Sequence, residues 1–253
     1  MDLRTVTRLA TATLFLACSF GTALAQDARR PLAVVELFTS QGCSSCPPAD
    51  AFLGELADRG DVVALSYHVD YWDYLGWRDT LGARANTERQ RAYGRSFGVG
   101  SVYTPQAVVN GRQHMSGAKR DEVAGAMESL ASGGNGMNVQ VSASYSGESI
   151  MIELGEGSGY PRKAHVVIAY FEPASRVAIT RGENSGRTVV YRNAVKSLQT
   201  VGMWHGKATR LEVPRDDIAS RGAGGCAILL QKVGKDGLPG PIIGATLVPI
   251  PAS

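Results

Sequence analysis

The stretch VELFTSQGCSSCPPAD, residues 35–50, decides how the chain is read. It sits on an apolar, β-branched run over residues 32–39 that ends in turn residues, the pattern of a buried strand in a parallel sheet. Beyond the cysteines, Ala51, Phe52, Leu53, Leu56 and Ala57 recur at helical spacing, which predicts a helix over residues 49–58. Pro47 and Pro48 are compatible with its first turn, where a backbone N–H has no partner to lose. Cys43 and Cys46 therefore stand where a strand hands over to a helix.

A dithiol at this spacing can be a redox couple, half of a zinc site, a soft-metal clamp or a packing detail. Unpaired N–H groups and the positive end of the helix dipole favour thiolate over thiol, which makes Cys43 the expected nucleophile. Cys46, placed further in, is then suited to resolving a mixed disulfide. Zinc needs two more ligands, and the sequence contains no second C-x-x-C and no H-x-x-x-H. Cu(I) is the alternative ligand: two thiolates with one imidazole suit it, and His68 ends a strand whose carboxyl end is expected to face the pair.

Outward from the motif, residues 61–69 read as a second buried strand, followed by the aromatic segment DYWDYLGW and a polar helix over about residues 80–96. A strand over 106–109, an Asn110-Gly111 turn, a short return strand and an amphipathic helix over 119–130 complete the order β-α-β-α-β-β-α. Pro105 opens a strand, a position at which proline marks an edge, a bulge or a cis peptide bond. After the Gly-rich residues 131–136 nearly every segment alternates with period two. That predicts a second, all-β domain of sandwich type, with boundaries at 30–132 and 137–253.

Composition excludes several classes. With 253 residues, 44% hydrophobic and 19% charged, the chain is globular, and a net charge of +3 gives no basis for nucleic-acid binding. Residues 1–25 have the form of a cleaved secretory signal: Arg4 and Arg8, an apolar run, then Ala23-Leu24-Ala25 as the cleavage site. That run is too short to span a membrane, which takes about 20 apolar residues, and no other run approaches that length. The expected location is therefore periplasmic or secreted, an oxidising compartment, yet only Cys43, Cys46 and Cys226 remain after cleavage, too few for a disulfide-stapled scaffold. Cys226, on an apolar strand, is expected to be buried and inert.

The succession of strand, C-x-x-C, helix, strand, helix, Phe97-Gly98-Val99 to Thr104-Pro105, strand, Asn-Gly turn, strand and helix resembles the thioredoxin superfamily over residues 32–130. More closely, VELFTSQGCSSCPPAD with YHVDYWDYLGW and YTPQAVVNG is similar to an uncharacterised family of secreted thioredoxin-like proteins, domain of unknown function 1223, over nearly the whole mature chain. The resemblance implies an α/β thioredoxin-like N-terminal domain plus the all-β domain. It also implies Cys43 as attacking thiol, Cys46 as resolving thiol, Pro105 as a cis proline and Thr104 beside it holding the incoming backbone. Glu36 is the nearest candidate for the buried acid that thioredoxins keep behind the pair, or else a paired structural carboxylate. The Ser44-Ser45 dipeptide departs from the Gly-Pro of thioredoxins and leaves the direction of electron flow open.

His68, Asp70, Tyr71, Trp72 and Tyr103 are candidates for a substrate groove, because loops after parallel strands gather on one face; the alternative is an aromatic packing lid. The expected chemistry is thiol–disulfide exchange with protein or small-molecule thiols and disulfides, without a cofactor. A redox-silent binding module is the remaining alternative.

Overall fold

The computed structural model describes residues 30–157 and 163–248. The predicted signal segment lies outside them. β1 (Ala33–Thr39) and β2 (Val62–His68) are buried at every position, as their uninterrupted apolar sequences require, and they pair in parallel through the crossover helix α1 (Pro47–Arg59). α2 (Arg84–Phe97) follows, then β3 (Gln106–Val109), antiparallel to β1, and β4 (Gln113–Ser116), and α3 (Arg120–Ser132) closes this half. Between β3 and β4, Asn110 and Gly111 both have positive φ, and a Cβ on Gly111 would lie 2.5 Å from the Gly240 carbonyl, so the turn admits only glycine there.

The second half contributes β5 (Val141–Ser146), β6 (Ser149–Leu154), β7 (Ala164–Ala178), β8 (Thr188–Trp204), β9 (Thr209–Pro214), a short α4 (Asp216–Ser220), β10 (Gly225–Val233) and β11 (Pro239–Val248). Strands β5, β6 and β9 form a three-stranded sheet. The others join the first half in one mixed sheet of eight strands, in the order β11-β10-β7-β8-β2-β1-β3-β4. The seam is narrow. Ser66 of β2 pairs with Ala194 of β8 in parallel, and the side chain of Asn193, a residue at φ 47°, donates through Nδ2 to the Ala64 carbonyl at 2.8 Å.

This overturns the expected architecture of a thioredoxin-like α/β domain beside a separate all-β domain. The fold is mostly β, and its main sheet runs through both halves. The core says the same: Val34, Phe38, Leu65 and Tyr67 from β1 and β2 pack in one cluster with Val167, Phe171 and Leu229 from β7 and β10, under Tyr93 of α2. A second cluster lies between the three-stranded sheet and one face of β7, β10 and β11, so a sandwich exists, but only as a local layer. A third fills the space between α1, α3 and the opposite face of β1, β2 and β3. Period two shows which residues alternate inward and outward; it does not show which strand lies beside which.

Candidate functional site

Cys43 and Cys46 form a disulfide with Cα atoms 5.4 Å apart. Cys46 is the N-cap of α1 and its carbonyl accepts from the Ala49 and Asp50 N–H groups. Cys43 belongs to a separate turn ahead of the helix, closed by the Cys46 N–H on its carbonyl at 3.2 Å. The sequence expectation of Cys43 as the helix-head residue is corrected accordingly: Cys46 occupies that position. Cys43 still has the only contact with solvent, at 3% exposure against 0% for Cys46, and it is flanked by the exposed Ser44 and Ser45.

Three segments converge on this turn. A Cβ on Gly42 would lie 3.2 Å from Cβ of Trp72, whose indole N–H donates to Thr104 Oγ1 at 2.7 Å. The Thr104–Pro105 bond is cis. Pro105 lies near the first turn of α1, since a Cβ on Gly117 would stand 3.2 Å from Cβ of Ala49 and 3.6 Å from Cβ of Pro105. From the second half, Asn184 in the loop between β7 and β8 donates through Nδ2 to the carbonyls of Cys43 at 2.8 Å and Gln41 at 3.0 Å.

Beneath the bridge lies a buried polar cluster. Asp50, one helical turn beyond Cys46, accepts from Thr39 Oγ1 at 2.7 Å, while its Oδ2 is buried without a partner. Burial pushes the Asp50 carboxyl up to about 7, against the opposing pull of His68 and of the Thr39 hydrogen bond. His68 Nδ1 is 2.8 Å from Asp79 Oδ2, which also accepts from the Gln41 N–H at 2.7 Å. Burial works to raise Asp79 as well, but His68 and the Gln41 and Leu81 N–H groups outweigh it and hold that carboxyl below its ordinary value. Tyr191 of β8 packs edge-on to the His68 ring at 4.5 Å, and burial together with Asp50 and Asp79 raises its phenol.

The other sequence candidates are distributed differently. Glu36 shares the β1 face of Val34 and Phe38, turned away from α1. There it pairs with Arg89 at 2.7 Å and receives a short hydrogen bond from the Tyr93 hydroxyl, and Arg89 and Tyr93 both bond Gln231 of β10. It is the paired structural carboxylate, and the buried acid on the helix that follows Cys46 is Asp50. His68 is fully buried and so belongs beneath the site rather than in a groove. Asp70 accepts from Thr87 Oγ1 at 2.6 Å and Tyr71 donates to Gln90 at 3.2 Å, so both anchor the aromatic segment to α2. Trp72 and Tyr103 remain at the rim: Tyr74, 77% exposed, stacks on Trp72, and the Tyr103 hydroxyl meets His114 Nδ1 at 3.1 Å.

No group of three or more His, Cys, Asp or Glu side chains among the described residues is arranged to hold a metal ion. Cys226 is buried and free, and burial pushes its thiol up to about 12. Asp79 and Tyr191 were not legible in sequence as members of the site; Asn184 was legible only as one of four polar residues, with Arg181, Glu183 and Arg187, of a turn-rich loop that could reach the active face, against the plainer reading of a hairpin loop. Asp50 left one signal, an acid four residues after Cys46 on a predicted helix, which is the spacing of one face.

Among the described residues no helix is long and apolar enough to cross a membrane. A search of curated proteins finds no match. The structure is similar to a structural-genomics crystal structure of a protein from Agrobacterium tumefaciens, at 44% identity and a TM-score of 0.79 over 87% of this chain and 94% of that one. It shares a broad fold likeness with HBP35 of Porphyromonas gingivalis, at 10% identity and a TM-score of 0.56 over 86% of this chain and 74% of that one. With residues 34–231 matched by the family described as protein of unknown function (DUF1223), the chain belongs to that family.

Proposed function

We propose that the protein is an exported thiol–disulfide oxidoreductase whose working couple is Cys43 and Cys46. The observation that carries this reading is the bridge at the head of α1, with a buried carboxyl of near-neutral pKa one helical turn inside it. A ring closed over a separation of three residues restrains the unfolded chain little, about 2 kcal/mol on the loop-entropy account, so stability is a weak reason for this disulfide. The signal-like leader supports export into a compartment where such a couple is used.

In the oxidising direction a substrate thiolate attacks Cys43 Sγ, the Cys43–Cys46 bond breaks, and Cys46 leaves as a thiolate that takes a proton from Asp50. A second substrate thiolate then attacks the substrate sulfur of the mixed disulfide. The substrate disulfide departs, Cys43 is released as thiolate, and two electrons have passed from substrate to protein. Reduction is the same path reversed, with Asp50 accepting the Cys46 proton. Trp72, Tyr103 and Thr104 form the surface against which an extended substrate backbone would rest, next to the buried cis Pro105. The role of the acid is favourable near neutral pH, where its protonated and ionised forms are both populated.

The test is a redox titration of the metal-free mature protein against reduced and oxidised glutathione, with Cys43 and Cys46 counted by alkylation and mass. A reversible two-electron couple between about −120 and −270 mV supports exchange, and its position gives the favoured direction. A bridge locked far below that range is a structural disulfide and ends the reading.

A further inference from the structure

Asn184 lies 141 residues from Cys43 and on the far side of the Gly-rich segment, yet its side chain is buried against the turn that carries the cysteine. Both of its amide hydrogens are used, one on the Gln41 carbonyl and one on the Cys43 carbonyl. Two acceptors facing one side-chain atom settle which end is the nitrogen, because an oxygen there would meet two carbonyls. The loop is itself held in shape: Ser185 N–H donates to the Gly182 carbonyl, Gly186 N–H to Ile179 and Arg187 N–H to Asn184. It is also seated on the site. Gly182, at φ 75°, lies where a Cβ would stand 3.1 Å from Cβ of Trp77, and the Trp77 indole donates to Gln41 Oε1 at 2.8 Å. The second half of the chain thus grips residues 41–43 twice, through Asn184 directly and through Trp77.

We propose that Asn184 is a positioning residue for the dithiol, and that it sets how readily Cys43 and Cys46 close into a disulfide. The purpose assigned to it rests on the exchange reading above. When the pair is reduced, each sulfur gains a proton and an electron and the covalent tie across the turn is lost. The two hydrogen bonds from Asn184 then keep the turn in the geometry that brings the sulfurs back together. Without them reclosure must order a looser turn, and the reduced form is favoured. Pre-organisation of this type is worth about three- to tenfold in the closure constant.

The measurement is the equilibrium between protein and dithiothreitol, in which the two thiols of the reagent close to its cyclic disulfide as the Cys43–Cys46 bond is cleaved. A reagent this reducing reads a tightly locked bridge as well as an exchangeable one. The absolute wild-type constant therefore tests the function, and the ratio of variant to wild type tests Asn184. Asn184→Ala is expected to shift the equilibrium towards the dithiol by about three- to tenfold, and Asn184→Asp, which sets an oxygen against both carbonyls, by more. Ser185→Ala, in the same loop with its hydroxyl on the Thr180 carbonyl, should leave the constant at the wild-type value. Protection of the buried Cys226 thiol from alkylation reports that each variant is folded, and Asn184→Ser, too short to reach both carbonyls, serves if Asn184→Ala is not. Folded variants at position 184 with the wild-type constant, or with a lowered melting temperature alone, would overturn the proposal.

Discussion

Raising the pH from 4 to 8 removes a proton from Asp50 in a place almost sealed from water, and the consequences are opposite for stability and for chemistry. Its carboxyl titrates at about 7 in the folded protein and near 3.8 in the unfolded chain, so between those values the folded state binds the extra proton. The stabilisation is complete below pH 4 and is lost as pH rises through 7, on the order of 4 kcal/mol by neutrality. Asp79 acts in the other direction and in another window: its depressed carboxyl contributes stability above its ordinary value and loses it only as pH falls below that. Urea midpoints between pH 4 and 8 should therefore decline for the wild type and stay nearly flat for Asp50→Asn, which keeps the shape and cannot ionise. The same variant should slow exchange by about 10- to 100-fold at pH 7, read as the rate of Cys46 release in a stopped-flow reduction. A variant that flattens the stability profile and leaves the exchange rate intact would remove Asp50 from the mechanism.

At the scale of elements, α2 is held across the sheet by charge as well as by packing. Glu36 is buried on β1, Arg89 is its partner on α2, and Gln231 ties both Arg89 and Tyr93 to β10. Removing one member of a buried pair strands the other, so Arg89→Met should cost about 3–5 kcal/mol in chemical denaturation. The double variant Glu36→Gln/Arg89→Met should recover a large part of that. If the single variant costs no more than an exposed pair does, the network has no structural weight. The turn between β3 and β4 gives a second check: Gly111→Ala must drive a Cβ into the Gly240 carbonyl at a positive φ, and its melting temperature should fall by several degrees while that of Gly125→Ala, an open position on α3, should not.

For the whole molecule, one sheet and one shared core imply one unfolding event. The face of β1 and β2 that holds Val34, Phe38, Leu65 and Tyr67 is covered by residues of β7 and β10, so neither half can open without exposing the other. Calorimetry of the protein should show a single transition whose van't Hoff and calorimetric enthalpies agree, and urea transitions followed by the tryptophans and by far-UV dichroism should coincide. Two resolved transitions would mean that the narrow seam at Ser66 and Ala194 is not enough to couple the halves.

Local order in this chain could be read without a fold. The strand of residues 33–39, the helix behind the cysteines and the buried Cys226 are all consequences of neighbours in sequence, β-branched runs and helical spacing, whereas a proline at a strand start left edge, bulge and cis bond open and only the family resemblance implied the cis bond at Pro105. Which of the two nearby acids is buried on the α1 side of the sheet was not readable in that way. Glu36 and Asp50 are both acids near the motif, and the choice turns on the face of β1 to which α1 is packed, which only the assembled sheet decides. The same holds for Asn184, an ordinary turn residue in sequence whose partner is 141 positions away. Alternation and propensity act over a few residues and assigned each strand its inward face; the order of strands, the merging of two expected domains into one sheet and the composition of the polar cluster depend on contacts between distant segments, whose energies no short stretch of sequence contains.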